Sequence, residues 1–217
     1  MVLVLLALFL TERRWPDLVN RFEETMLAVL LSAITLISFS QVVMRYGFSS
    51  GWGGALEFTR VLFAWLILFG MSYAIKINSH LGVDAFIRML PPRAFRAVAV
   101  FGAIAGILYA SILLYSDWLQ FFGANARGGA LHYWSKMFQV GIGLDDLRYP
   151  GWAQEAFGLQ DRVHRWLVYL ILPVGLSLLG YRCIQAAIDI IQGKRTLIIA
   201  GHEAEDLVAE NKNILQE

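Results

Sequence analysis

The polar positions divide the chain into charge-free and charge-bearing stretches. Four runs hold no Asp, Glu, Lys or Arg: 25–44, 61–75, 97–116 and 166–181, of 20, 15, 20 and 16 residues. A helix that crosses a bilayer needs about 20 mostly apolar residues, within a range of roughly 17–25. The first and third runs meet that length directly. The second and fourth reach it when flanking charged side chains lay their stems along apolar surface and keep their heads in water. The pattern predicts an all-α membrane protein with four transmembrane helices, at about 25–44, 57–76, 97–118 and 166–188, plus interfacial helices.

The few polar or small residues inside these runs carry the next layer of information. Ser32, Thr35, Ser38 and Gln41 in the first run have little use for lipid but suit contact with another helix. Gly70 and Ala74 form a small-xxx-small pair in the second. Gly102 and Gly106 form a GxxxG in the third, which lets two backbones approach closely, with a partner subunit or within the chain itself. Pro173 should kink the fourth helix, which is expected to run past Arg182 with that guanidinium reaching for headgroups. Trp65, Trp118 and Trp166 lie near span ends, where indoles act as depth anchors.

Outside a membrane domain at 25–192, three segments remain. Residues 1–24 open with an apolar decamer followed by Thr-Glu-Arg-Arg. That order is the reverse of a signal peptide, and ten helical residues cover only about 15 Å, so the segment reads as interfacial. The loop 119–165 is rich in Trp and Tyr and broken at Gly128-Gly129 and Tyr149-Pro150-Gly151, which suits short helices at headgroup level or against another protein. The tail 193–217 starts basic and turns acidic, as a solvated cytoplasmic helix would. Eleven basic residues fall on the N-terminal side of the membrane against seven on the other, which favours N-in and C-in.

Composition narrows the function. The chain is 58% hydrophobic and 16% charged, with a net charge of +1, whereas a soluble domain holds about 25% charged residues. A soluble enzyme, a disordered chain and a nucleic-acid binder are excluded. Cys183 is the single cysteine, so no intramolecular disulfide or CxxC site exists, and it reads as a small buried hydrophobe. His80, His132, His164 and His202 all lie outside the charge-free runs, where a haem in a bundle core would need them. No acid lies inside a run to carry an ion, and Pro173 is a single break without a repeat partner. No catalytic, metal, substrate or cofactor site is expected. Glu57 and Arg60 share a helix face, either as a flanking ion pair or paired with a partner chain. His80, just past the second run, is a capping residue or an interface ligand.

The order of residues from 45 to 84 resembles a known family. Arg45-Tyr46-Gly47-Phe48, then Gly54-Ala55-Leu56-Glu57, Arg60, Leu62-Phe63-Ala64-Trp65 and Gly70, then Tyr73-Ala74 and His80-Leu81-Gly82-Val83-Asp84, are similar to the small membrane subunit of tripartite ATP-independent periplasmic (TRAP) transporters, the DctQ-type family. Tyr149-Pro150-Gly151-Trp152 and Leu172-Pro173-Val174-Gly175 resemble that family's last span and its approach. The resemblance implies a scaffold in the bacterial inner membrane. It would brace a large DctM-type subunit that carries the substrate and sodium sites, and a periplasmic DctP-type protein would deliver organic acids transiently. Arg45, Glu57, Arg60, Trp65, His80, Gly102, Gly106 and Arg182 are the candidate contacts to partner or lipid. Two other classes remain: the membrane anchor of a respiratory or quinone-linked enzyme, and a self-contained four-helix carrier.

Overall fold

The structure is a computed structural model that describes residues 10–12, 14–77 and 91–193. His80, most of the N-terminal decamer and the tail beyond residue 193 lie outside the described residues. Among the described residues, four helices are long and apolar enough to cross a membrane.

Helix α1 (Pro16–Gly47) begins on a proline, whose missing N–H is harmless in a first turn. Asp17 and Arg45 sit at its N- and C-terminal ends, the charge order that the helix dipole favours. Its 32 residues span about 48 Å at 1.5 Å per residue, so 16–24, expected to belong with the interfacial segment, continue into the first span as one helix. Helices α2 (Ala55–Lys76) and α3 (Pro92–Leu114) follow. The third span thus stops at Leu114, and Asp117 and Trp118 belong instead to a 3-10 helix, Asp117–Phe122, closed by Gly123 in the left-handed region.

The connection to the last span holds helix α4 (Ala130–Val140), strand β1 (Gly143–Arg148), helix α5 (Gly151–Phe157) and strand β2 (Arg162–His164). The antiparallel pairing of β1 with β2 is an addition to the short helices expected there. Helix α6 (Arg165–Tyr169) and helix α7 (Ile171–Ile191) form the last span, interrupted at Leu170. Pro173 accounts for the break, because it has no N–H to offer the carbonyl four residues back, on Tyr169.

By density of internal contacts the chain divides into two units. The first comprises Met1–Gly70 with Ala110–Leu178, the second Met71–Tyr109 with Leu179–Glu217. In the first, Leu144, Leu147 and Val163 pack with Phe58, Tyr149 and Val168. In the second, Ala99, Ala103, Leu179, Cys183, Ala186 and Ile190 are buried. The spans differ in enclosure: 44% of the most apolar stretch of the last is buried inside the chain, against 6% for the first. Helix α1 is enclosed only along an edge through Val19, Leu30 and Ile34.

Candidate functional site

The polar machinery of the first unit gathers where α1 ends and α2 begins. Glu57 stands in the first turn of α2, where a carboxylate is favoured by the helix N-terminus. Its Oε2 accepts hydrogen bonds from the backbone N–H groups of Asp146 and Leu147, each at 2.8 Å. One side chain thereby ties the start of the second span to β1, 90 residues away in sequence. Gly54 makes room for the contact, since a Cβ there would lie 2.9 Å from the Asp146 carbonyl oxygen and 3.3 Å from Leu147 Cδ1. The expected Glu57–Arg60 pair does not form: among the described residues no ion pair involves Arg60, which is exposed. Glu57 is turned to the amides of β1, which offer it two donors.

Gln41 performs a second tie. Its Nε2 donates to the Trp52 carbonyl and its Oε1 accepts from the Trp52 N–H, both at 3.2 Å. The connection 48–54 is thus held in place, with Ser49 in the left-handed region at φ 50°. Beside it opens a cavity of about 770 Å³, lined among others by Ser38, Gln41, Arg45, Ser50, Trp52 and Thr59. Arg45 is exposed on its wall.

A third lock joins the end of α3 to the following loop. Asp117 Oδ1 accepts the Gly128 N–H, and Ser116 Oγ and N–H both donate to the Gly128 carbonyl. The Gly128 amide, and after it the Tyr115 hydroxyl, hold the Asp117 carboxyl below its ordinary range, and the same hydrogen bond raises the Tyr115 phenol. Gly129 adopts a φ of 126° against the Leu114 carbonyl, which a Cβ would meet at 2.7 Å. Trp134 Nε1 donates to the Trp166 carbonyl at 3.0 Å, and Phe138 sets its ring edge against Trp166. Trp65 is half-buried and its ring lies 6.0 Å from that of Phe69.

Two expectations change. Arg182, expected at the headgroups, is buried at 2% exposure. Its Nη1 donates to Gln185 Oε1, Gln185 Nε2 donates to the Tyr181 hydroxyl, and the guanidinium lies 5.4 Å from the Tyr181 ring centroid. This local polar chain keeps a cation inside the protein, where snorkelling is unnecessary. Within the chain the two glycines of the GxxxG part company. Gly102 is exposed, while the enclosed face runs through Ala99, Ala103 and Gly106. A Cβ on Gly106 would meet Cys183 Sγ at 2.7 Å, so this glycine packs within the chain. Cys183 is buried at 4% exposure, as a small core residue.

Among the described residues no three His, Cys, Asp or Glu side chains converge as a metal site would require. The arrangement is one of ties between helix ends and loops, flanked by a first helix that leaves most of its surface open.

Comparison with known proteins gives this arrangement a setting. Residues 34–193 match the family model described as "Tripartite ATP-independent periplasmic transporters, DctQ component". The chain is 32% identical over 213 residues to the C4-dicarboxylate TRAP transporter small permease protein DctQ of Vibrio cholerae serotype O1, covering 92% of this chain and 86% of the relative. It is 27% identical over 215 residues to the protein of the same description in Pseudomonas aeruginosa, covering 86% and 90%. These relatives are permease subunits of transporters, and family members work with other transporter components. The chain, a multi-pass protein of the inner membrane, belongs to the DctQ-component family of TRAP transporters.

Proposed function

We propose that this chain is the small scaffold subunit of a sodium-coupled TRAP transporter that imports C4-dicarboxylates. A DctP-type periplasmic protein delivers the substrate, a DctM-type large subunit carries it, and this subunit braces the large one without a substrate site of its own. The substrate class follows the names of the two relatives above. Both termini lie in the cytoplasm, so the loop 119–165 and the α1–α2 connection face the periplasm.

The observation that carries the bracing role is the openness of α1. Ser32 and Thr35 lie on the side of the helix away from Leu30 and Ile34, and both are exposed at hydrocarbon depth. The Thr35 hydroxyl donates to the Leu31 carbonyl, so its presence does not disturb the helix, and its small size admits a close neighbour. A helix enclosed on one edge within its own chain, and carrying Ser32 and Thr35 among the exposed Leu31, Leu36 and Phe39 on the other, offers a neighbouring protein helix a close approach that lipid has no use for.

The test is copurification of the large subunit with the Ser32→Leu, Thr35→Leu double variant, together with dicarboxylate uptake. Copurification and uptake should fall together several-fold, with KM for substrate unchanged. Full copurification with full uptake would refute the bracing role of this face.

A further inference from the structure

We infer that the cavity between the end of α1 and the start of α2 binds the headgroup of an anionic glycerophospholipid, with Arg45 as the phosphate ligand and phosphatidylglycerol as the preferred class.

The first support is the position of the cavity. It opens where the apolar run of α1 ends and that of α2 has yet to begin, so its mouth lies at headgroup level. Ser38 and Gln41 line it seven and four residues before Arg45, about 10 and 6 Å further down the helix axis at 1.5 Å per residue. Gln41 spends its amide on Trp52, whereas a Ser38 hydroxyl that deep has no use for acyl chains and matches the glycerol and ester region beneath a phosphate.

Charge is the second support. Arg45 is the only charged side chain in the lining, and among the described residues no acid pairs with it. The nearest acid along α2, Glu57, is committed to the amides of Asp146 and Leu147. A guanidinium presents a planar fork of donors that matches two phosphate oxygens.

The third support is selectivity. With no carboxylate in the lining, an ethanolamine ammonium finds no counter-charge. Ser49 and Ser50 instead offer hydroxyls that suit the hydroxyls of a glycerol headgroup, and the Thr59 oxygen, whose proton goes to the Ala55 carbonyl at 2.8 Å, can accept from them. Trp52, 47% exposed at the rim, supplies an indole of the kind that sits at the membrane interface. The volume of about 770 Å³ is far more than a bare phosphate needs and falls in the usual range of ligand pockets. The Gln41 clamp on Trp52 keeps the walls in place before a lipid arrives.

Native mass spectrometry of the full chain, with whatever transporter subunits accompany it, tests the assignment. The probes are phosphatidylglycerol, phosphatidylethanolamine and soluble sn-glycerol 1-phosphate. Phosphatidylglycerol should be retained several-fold better than phosphatidylethanolamine. Arg45→Gln should lower that retention about tenfold, the size of one lost charge-assisted contact, while Arg45→Lys keeps most of it. Arg60→Gln removes the same charge from an exposed arginine outside the cavity and should change nothing. Equal retention of the two lipids, or full retention by Arg45→Gln, would overturn the proposal. Displacement of the lipid by glycerol phosphate at equal concentration would reassign the cavity to a free phosphate ester. Loss of the large subunit by Arg45→Gln with lipid retention intact would reassign it to a protein carboxylate.

Discussion

Replacing Glu57 by alanine removes the one oxygen, Oε2, that accepts both amides in the middle of β1. Hydrogen bonds to a charged group are worth about 1.5–3 kcal/mol each, and a buried donor left without a partner costs about 1–3 kcal/mol. The two amides differ in their access to a substitute partner. Asp146 is exposed and water replaces the carboxylate there, whereas Leu147 is 7% exposed and its N–H has no such replacement. Glu57 is itself half-buried, so the full charged value does not apply to either bond. The net local cost is then about 2–3 kcal/mol, a factor of about 30–150 in the opening equilibrium. Glu57→Gln keeps one acceptor oxygen and loses the charge, so its cost is about 1 kcal/mol. Hydrogen exchange resolved to residues 143–148 in detergent or nanodiscs reads this directly. Exchange of the Leu147 amide should accelerate strongly in the alanine variant and by about a tenth as much in the glutamine variant. Exchange in β1 that is unchanged in Glu57→Ala would refute the tie. Arg148→Ala supplies a control, because the exposed Arg148–Asp161 pair contributes at most about 1 kcal/mol.

The same geometry sets three other outcomes. Gly175→Ala places a Cβ 2.6 Å from Leu68 Cβ, an atom fixed to its backbone, and should lower stability by about 1–3 kcal/mol. Gly106→Ala meets a Cys183 Sγ that can rotate, so it should cost less, and adding Cys183→Ala should recover part of the loss in thermal unfolding. For Asp117, the depressed carboxyl stabilises the loop 116–129 fully above its unfolded value of about 3.9. That contribution is lost as pH falls through the lower folded value. Opening at the Gly128 amide, read as exchange relative to the unfolded-chain rate, should therefore increase only as pH falls below about 3.9, and Asp117→Asn should abolish the dependence.

The four spans were legible because charge-free runs are a direct image of hydrocarbon thickness. The start of α1 was not, since Asp17, Arg21, Glu23 and Glu24 interrupt the apolar pattern without interrupting the helix. Strand β1, Gly-Leu-Asp-Asp-Leu-Arg, has no period-two alternation, and its amides are held by Glu57 from a distant helix. No local signal carries that contact, although an acid in the first turn of a span was visible. The GxxxG spacing pointed to the right helix and left two partners open, of which Gly106 meets the one within the chain, Cys183. Burial follows Ala99, Ala103 and Gly106 at intervals of four and three, which places Gly102 off the enclosed face. Arg182 was misplaced by the assumption that an intramembrane cation seeks water. Tyr181 beside it and Gln185 three residues on were the available sign that part of its guanidinium could find partners on its own helix.

The helix that the chain encloses most, α7, is also the one that leaves the ribosome after the other three spans. Insertion and packing are therefore separated in time. The second and third spans must first persist in lipid without their α7 contacts, because the surfaces that receive them, at Gly175 against Leu68 and at Cys183 against Gly106, have not yet been translated. A nascent chain halted before Ile171 would carry three inserted spans and lack the helix against which Leu68 and Gly106 each pack. Completion of the last helix thus marks the moment at which this subunit passes from a membrane-inserted polypeptide to a folded one.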